Sequence, residues 1–416
     1  MTKLPADTSW LTTPQVQAVF AALEAAKPAG SRFVGGCVRN TLMGQAVDDI
    51  DIATQLKPDE TLKALEAAGI RAEPTGIEHG TVTAIVDHIP FEITSLRRDV
   101  ETDGRRAVVA FTEDWAEDAQ RRDFRLNAIY ADLDGTLYDP TGGGLDDAAA
   151  GCVIFIGDAD ERLREDYLRI LRFFRFNAWY GRQDIDVQGL AACARQKEGL
   201  KQIAAERIWK ELKKMLGAAE IWLVVQRMNS SGILQSVLPA LRSDPHLAQL
   251  QGMEAGDAFM RPYLADPMLR LMCLVPRQAE AIEKTATGLK LSNVERNRLE
   301  AWVKAPEIDF ATLSRASLKR YLYTSGKRAF VDCFVSDLAT DPDKFASIAR
   351  FISEILDGWN LPVFPLRGED LLKAGMSPGP DMGKWLKTIE DWWIEGDFRA
   401  DKAALLEELE RRLKAD

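Results

Sequence analysis

The chain predicts an α+β architecture: a small mixed β-sheet followed by an all-helical remainder. Two observations carry this. Up to about residue 155, short stretches of strand periodicity alternate with helical ones. Beyond it strand patterning all but disappears, and apolar residues recur at helical spacing, as at Leu163, Tyr167, Leu171 and Phe174, and at Ile208, Leu212, Met215 and Leu216.

In the first part, Phe33-Val34 closes a strand at a Gly35-Gly36 turn, and a helix is predicted over about Val38 to Met43. Asp49 to Ala53 and Ile89 to Ser95 alternate polar and apolar residues, and Thr81 to Val86 is rich in β-branched residues. Arg97 to Phe111 is polar, has Asp103-Gly104 at its middle and reads as a loop into a following strand. In the helical part, breaks are expected near Asn229 to Gly232, around 251–266 and at Leu361 to Pro365. The predicted segments are therefore 1–155, 156–228, 229–360 and 361–416.

Composition excludes several classes. A length of 416 residues exceeds one core, and 46% hydrophobic with 28% charged residues fits a globular chain. Five scattered cysteines without a CxxC pair argue against a zinc site or disulfide framework and suit a reducing cytoplasm. No apolar run reaches membrane-spanning length, and the N-terminal residues lack a secretory pattern. The net charge of −11 is unusual for a nucleic-acid binder. The arginines are uneven, however: they crowd 97–125 and 162–175, with Arg207, Lys210, Lys213 and Lys214 beyond. This distribution predicts a local basic surface on an acidic body.

Asp49-Ile50-Asp51-Ile52 has a carboxylate at every second position. On a strand, Asp49 and Asp51 share one face while Ile50 and Ile52 share the other. Phe91-Glu92-Ile93 repeats the arrangement, so adjacent strands would bring three carboxylates together. Such a cluster suits a magnesium ion that takes its remaining ligands from phosphates. Taken alone, it equally fits a solvated strand face. Gly35-Gly36 upstream is placed where backbone N–H groups approach a phosphate, with Arg39 on the helix that follows. Together these features predict a triphosphate–metal site.

The run Val34-Gly35-Gly36-Cys37-Val38-Arg39, then Asp49-Ile50-Asp51-Ile52-Ala53-Thr54, resembles the signature of class II CCA-adding tRNA nucleotidyltransferases and bacterial poly(A) polymerases, within the polymerase-β-like superfamily. Further motifs follow in the family's order: Arg121-Arg122-Asp123-Phe124 with Asn127-Ala128, Asp139-Pro140-Thr141-Gly142-Gly143, Glu165-Asp166 with Arg169, and Glu206-Arg207 with Glu211-Leu212. Asn40, Asp147 and Phe155 depart from the family's usual Asp, Leu and Arg. The resemblance implies a nucleotidyltransferase head (1–155), a helical neck that reads the base (156–228), a body (229–360) and a tRNA-binding tail (361–416). It implies template-independent addition of the 3′-terminal CCA to tRNA from CTP and ATP, with a two-metal Mg2+ site. The tRNA 3′ end would enter a head–neck cleft, with acceptor and elbow along body and tail.

The implied catalytic residues are Asp49, Asp51 and Glu92, with Asp49 and Asp51 as metal ligands. Gly35, Gly36, Arg39, Arg122, Asp123, Asp166, Arg169, Arg172 and Arg175 are the implied nucleotide-binding residues. Asp166 and Arg169, three apart on a predicted helix, present an acceptor beside a fork of donors. That matches the amine-plus-ring-nitrogen edge shared by cytosine and adenine, and opposes the oxo group of uracil and guanine. Arg175 lies about 180° around an ideal helix from Asp166, so packing of the neck is its competing role. The polar stretch 97–111 corresponds to a family loop that helps switch from C to A.

A-adding enzymes and poly(A) polymerases share this head, and an inactive RNA-binding relative would keep the fold. The tRNA enzyme is favoured by Asp-Ile-Asp at 49–51, by the strands around His79-Gly80-Thr81 and Phe91-Glu92-Ile93, and by no long basic C-terminal extension. Gly368 to Leu372 and Ser377 to Gly383 also resemble a tail segment of CCA-adding enzymes.

Overall fold

The computed structural model describes residues 2–77, 80–102, 107–242, 265–309, 312–338 and 352–414. His79, Asp103-Gly104 and most of the break expected around 251–266 lie outside the described residues. The chain divides into two compact units. The first is Met1–Pro239 with Gly288–Lys290, and the second is Ala240–Thr287 with Leu291–Asp416.

The first unit opens with a seven-stranded sheet of order β3-β4-β5-β2-β1-β8-β9. Its strands are β1 (Ser31–Val34), β2 (Asp51–Thr54), β3 (Arg71–Gly76), β4 (Thr81–Val86), β5 (Ile89–Ser95), β8 (Tyr130–Ala131) and β9 (Leu137–Tyr138). Strand β2 pairs parallel with β5 and antiparallel with β1, so the sheet is mixed as predicted. Alternation works as the sequence requires: Val82, Ala84, Phe91 and Ile93 are fully buried, while Glu92 is exposed. Helices α1 (Pro14–Ala26) and α3 (Pro58–Ala67) cover that face, and Val16, Phe20, Leu23 and Leu65 join Phe33, Ile52 and Phe91 in one core. Pro14 at the first helical position and the Thr13 side chain accepting from Val16 N fix the start of α1.

The stretch Arg97 to Phe111 is a separate antiparallel pair, β6 (Arg97–Thr102) and β7 (Ala107–Phe111), rather than one loop. Its first strand is polar and its second, Ala-Val-Val-Ala-Phe, apolar. Among the described residues, no strand follows Tyr138. The helices α4 (Trp115–Gln120), α5 (Gly144–Ala150), α6 (Ala159–Glu165), α7 (Leu168–Tyr180), α8 (Val187–Gln196) and α9 (Ala205–Leu216) complete the part of this unit that builds the site.

The residues that depart from the motif pattern have local partners. Asp147 is buried and accepts both Nε and Nη2 of Arg125 at 2.7 Å. Phe155 stacks on Phe173 and packs against Phe124. Asn40 accepts from Arg39 and donates to the Ala46 carbonyl.

Among its described residues the second unit contains helices and no strand, with long members at Asn293–Lys304, Arg315–Leu338, Pro380–Glu395 and Lys402–Leu413. Gly368–Lys373 and Pro380–Glu395 are helices opening at the glycine-rich turns noted in the sequence. Leu371, Ile389, Trp393, Leu405 and Leu409 form their shared core. No helix of the described residues is long and apolar enough to cross a membrane.

Candidate active site

Where β1 ends and β2 begins, in the middle of the sheet, lies a cavity of about 450 Å³. It is lined by Gly35, Gly36, Arg39, Asp51, Arg121, Arg122, Asp123, Asn127, Asp166, Arg169, Arg172 and Phe176. Nine of the residues predicted for nucleotide or metal thus share one wall. Asp49, Glu92 and Arg175 do not line it.

Gly35 turns the chain out of β1 with φ +72°, a left-handed conformation, and the adjacent helix α2 runs Gly36–Met43. A Cβ at Gly35 would lie 3.6 Å from the Asp51 carboxylate. The turn therefore keeps backbone N–H groups and that carboxylate side by side, and the helix N-terminus favours an anion there.

Asp51 opens β2 and is in register with Glu92 on β5. Asp49 lies before the strand begins and is exposed, so the predicted sharing of a strand face does not extend to it. It still acts on Asp51 through space. Burial, the Glu92 charge and, more weakly, Asp49 push the Asp51 carboxyl up to about 6, against an opposing pull from Arg122. Carboxylate oxygens crowded in this way suit a hard divalent cation. Among the described residues, no three metal-ligating side chains converge closely enough to cage one alone. Two aspartates that leave room for phosphate and water oxygens fit magnesium's usual binding.

The arginines are held differently. Asp118 on α4 is fully buried; its Oδ1 accepts from Arg121 at 2.6 and 2.9 Å, and its Oδ2 accepts from Arg122 at 3.1 and 3.3 Å. Tyr130 Oη donates to the same carboxylate at 2.7 Å, and the Arg97 backbone N–H at 3.3 Å. Burial would raise the Asp118 carboxyl, but Arg122, Arg121 and Tyr130 outweigh it and hold it near 2. Asp123 accepts from Arg172 Nε at 2.8 Å and from Asn127 Nδ2 at 2.9 Å. Burial opposes the Arg172 and Asn127 contributions there too, and the carboxyl again falls to about 2. Asp118 was not predicted, although its spacing of three and four residues before Arg121 and Arg122 is the helical ion-pair signal.

Arg39 is largely committed inside the protein. It donates to Asn127 Oδ1 at 2.6 Å and Tyr180 Oη at 2.8 Å, and its guanidinium lies 4.1 Å from the Tyr180 ring centre. Its first effect is to tie α2 to α7. Arg175 is not among the residues that line the cavity; its Nε donates to Glu211 on α9, the packing role that competes with its assignment to the nucleotide.

Asp166 is not on a helix. It stands in extended conformation between α6 and α7 (φ −152°, ψ 105°), so the continuous helix predicted from periodicity is interrupted here. Asp166 and Arg169 do not pair with each other. Arg169 donates to Glu165, to the Arg162 carbonyl and to the Arg121 carbonyl. Asp166 Oδ1 accepts from Leu168 N at 3.0 Å, and Oδ2 from Arg207 Nη2 at 2.8 Å. Both side chains therefore face the cavity as separately anchored groups.

The basic clusters are mostly neutralised internally. Arg121, Arg122, Arg125, Arg162, Arg169, Arg172 and Arg175 all pair with acidic side chains. The local basic surface is smaller than the sequence predicted, with Arg164, Lys210, Lys213 and Lys214 among the exposed cations.

Comparison with known proteins places this geometry. Residues 31–153 match the Poly A polymerase head domain, and residues 184–244 match the probable RNA and SrmB-binding site of polymerase A. The CCA tRNA nucleotidyltransferase 1, mitochondrial, of Danio rerio is 34% identical over 91% of this chain and 86% of its own length. The chain belongs to the CCA tRNA nucleotidyltransferase family. The CCA-adding enzyme of Limosilactobacillus fermentum is 32% identical over 96% of this chain and 100% of its own. The CCA-adding fold is also seen in the Bacillus stearothermophilus enzyme in complex with CTP, with a TM-score of 0.75 and 23% identity over 97% of this chain and 99% of that one. The Thermotoga maritima CCA-adding enzyme complexed with tRNA gives 0.71 and 19% over 99% and 100%.

Proposed function

We infer that this member of the CCA tRNA nucleotidyltransferase family builds or repairs the 3′-terminal CCA of tRNA from CTP and ATP, releasing pyrophosphate. The carrying observation is that one cavity joins a glycine turn and a crowded carboxylate to a separately anchored acceptor and guanidinium.

Gly35 and Gly36 offer N–H groups to the triphosphate, and Arg122, braced by Asp118, supplies positive charge beside them. Asp49 and Asp51 would hold magnesium, with Glu92 beside Asp51 toward the primer end. When bound, the metal supplies charge neutralisation at the attacking and leaving oxygens and lowers the nucleophile's pKa. Asp123 and Arg172 fix the wall against which ribose and phosphates lie. Asp166 accepts the exocyclic amine of cytosine or adenine, and Arg169 donates to the adjacent ring nitrogen. Uracil and guanine set an oxo group against the carboxylate and leave buried groups unpaired, the kind of mismatch that discriminates strongly.

In this reading 1–155 is the catalytic head and 156–228 the neck, while 229–360 and 361–416 take the remaining tRNA contacts. The cytoplasmic assignment rests on the cysteine argument; the Danio rerio relative carries a mitochondrial name. The test is incorporation of labelled CTP and ATP on tRNA ending before, within and after CCA. The expected result is C, C and A in order and then arrest. Untemplated A-tailing of any RNA would contradict it.

A further inference from the structure

We propose that Arg207 is a positioning residue for base selection, holding the Asp166 carboxylate in the orientation that accepts an amine and rejects an oxo group. The proposal rests on the reading of Asp166 given above.

Asp166 has no helical ladder to fix it, because it lies at the break between α6 and α7. The torsion that turns a carboxylate plane is broad and poorly restrained by the side chain itself. One anchor, from Leu168 N to Oδ1, leaves the group free to swing about that oxygen. The second anchor, from Arg207 Nη2 to Oδ2, removes that freedom. A carboxylate has about four acceptor positions, so both anchors still leave two for an incoming base.

Arg207 is itself placed by a fixed frame. Positions 207, 211 and 214 lie on one side of α9 and meet α7 and its approach in order. Arg207 meets Asp166, Glu211 meets Arg175, and the Lys214 carbonyl accepts from Trp179 Nε1 at 2.8 Å. The two helices therefore run in the same direction, with the Arg207 end beside Asp166. Arg207 does not line the cavity, so it acts on the base through Asp166. Its side chain is 46% exposed, and exposed ion pairs contribute little to folding, so its truncation leaves the fold intact.

The experiment compares kcat/KM for all four nucleotides on tRNA lacking CCA, using wild type, Arg207→Gln, Arg207→Lys and Asp166→Ala. In Arg207→Gln the preference for CTP over UTP falls about tenfold, more than CTP use itself falls, because an unfixed acceptor no longer enforces the mismatch. Arg207→Lys, which keeps a charged donor, recovers much of the preference. Unchanged preference in Arg207→Gln, or an equal loss for every nucleotide, overturns the proposal. If Asp166→Ala loses discrimination while Arg207→Gln keeps it, the positioning role fails and the Asp166 reading stands. If Asp166→Ala also keeps discrimination, the Asp166 reading itself fails.

Discussion

Two sets of carboxylates in and around the cavity are treated in opposite ways. In one, Asp49, Asp51 and Glu92 have no ion-pair partner among the described residues, and burial with like charge raises Asp51 to about 6. In the other, Asp118, Asp123 and Asp166 each hold at least one guanidinium, and Asp118 and Asp123 fall to about 2. Uncompensated charge marks where a cation has to arrive with the substrate. Compensated charge marks a surface whose geometry is set before the substrate comes. In the proposed function the first set serves the chemistry and the second holds the groups that meet the nucleotide.

The largest effect is expected in the uncompensated set. Asp51→Asn should lower kcat by about a thousandfold, the several kcal/mol of transition-state stabilisation a catalytic metal supplies. Steady-state incorporation with saturating CTP checks this, and near-normal turnover would remove Asp51 from the metal site.

In the compensated set the cost falls on folding. Asp118→Asn leaves two guanidinium groups without their buried counter-charge, an uncompensated-charge penalty of about 3–5 kcal/mol. Urea denaturation should show it, and Arg121→Gln added to Asp118→Asn should restore part. No loss would mean that the arginines find other partners.

The pH response should separate the two sets. Asp51 has a folded pKa raised above its ordinary value of 3.8, so the folded state binds the extra proton between there and about 6. Deprotonating it costs stability as pH rises through that window, while metal binding requires the deprotonated form. Activity should therefore fall as pH drops through about 6, and more magnesium should move the midpoint lower. Asp118 and Asp123 are depressed, so their stabilisation is present above about 4 and fades toward 2. Near-UV circular dichroism should accordingly stay constant across the inactivation. A midpoint indifferent to magnesium would break the link to Asp51.

The smallest effect on activity is expected at Arg175. Arg175→Gln leaves buried Glu211 without its charged partner and should cost about 1–3 kcal/mol of stability. Nucleotide preference should not move. A changed preference would return Arg175 to the nucleotide site.

Much of this arrangement was readable in the sequence, for identifiable reasons. Strand alternation placed Ile93 inside and Glu92 outside, and β4 spans the Thr81 to Val86 stretch predicted. The glycine turn and Asp51 stand out by local spacing, whereas Asp166 and Arg169 are singled out by the resemblance, and one cavity is lined by all of them. Periodicity missed the break at Asp166, since apolar residues on both sides keep helical spacing across it. Counting arginines overstated the basic surface, because the partners lie far along the chain: Asp147 for Arg125, Asp123 for Arg172 and Glu211 for Arg175. The Arg207 contact to Asp166 spans 41 residues and depends on helix packing that no spacing rule supplies.

The division of labour between the two sets is tested most directly by one measurement. The rates for CTP, ATP, UTP and GTP are compared on tRNA lacking CCA for Asp51→Asn and Asp166→Ala, both shown folded by circular dichroism. Asp51→Asn should slow CTP and ATP alike and leave the preference over UTP and GTP unchanged. Asp166→Ala should erode that preference more than it slows CTP. A uniform loss in Asp166→Ala, or an altered preference in Asp51→Asn, would contradict the account.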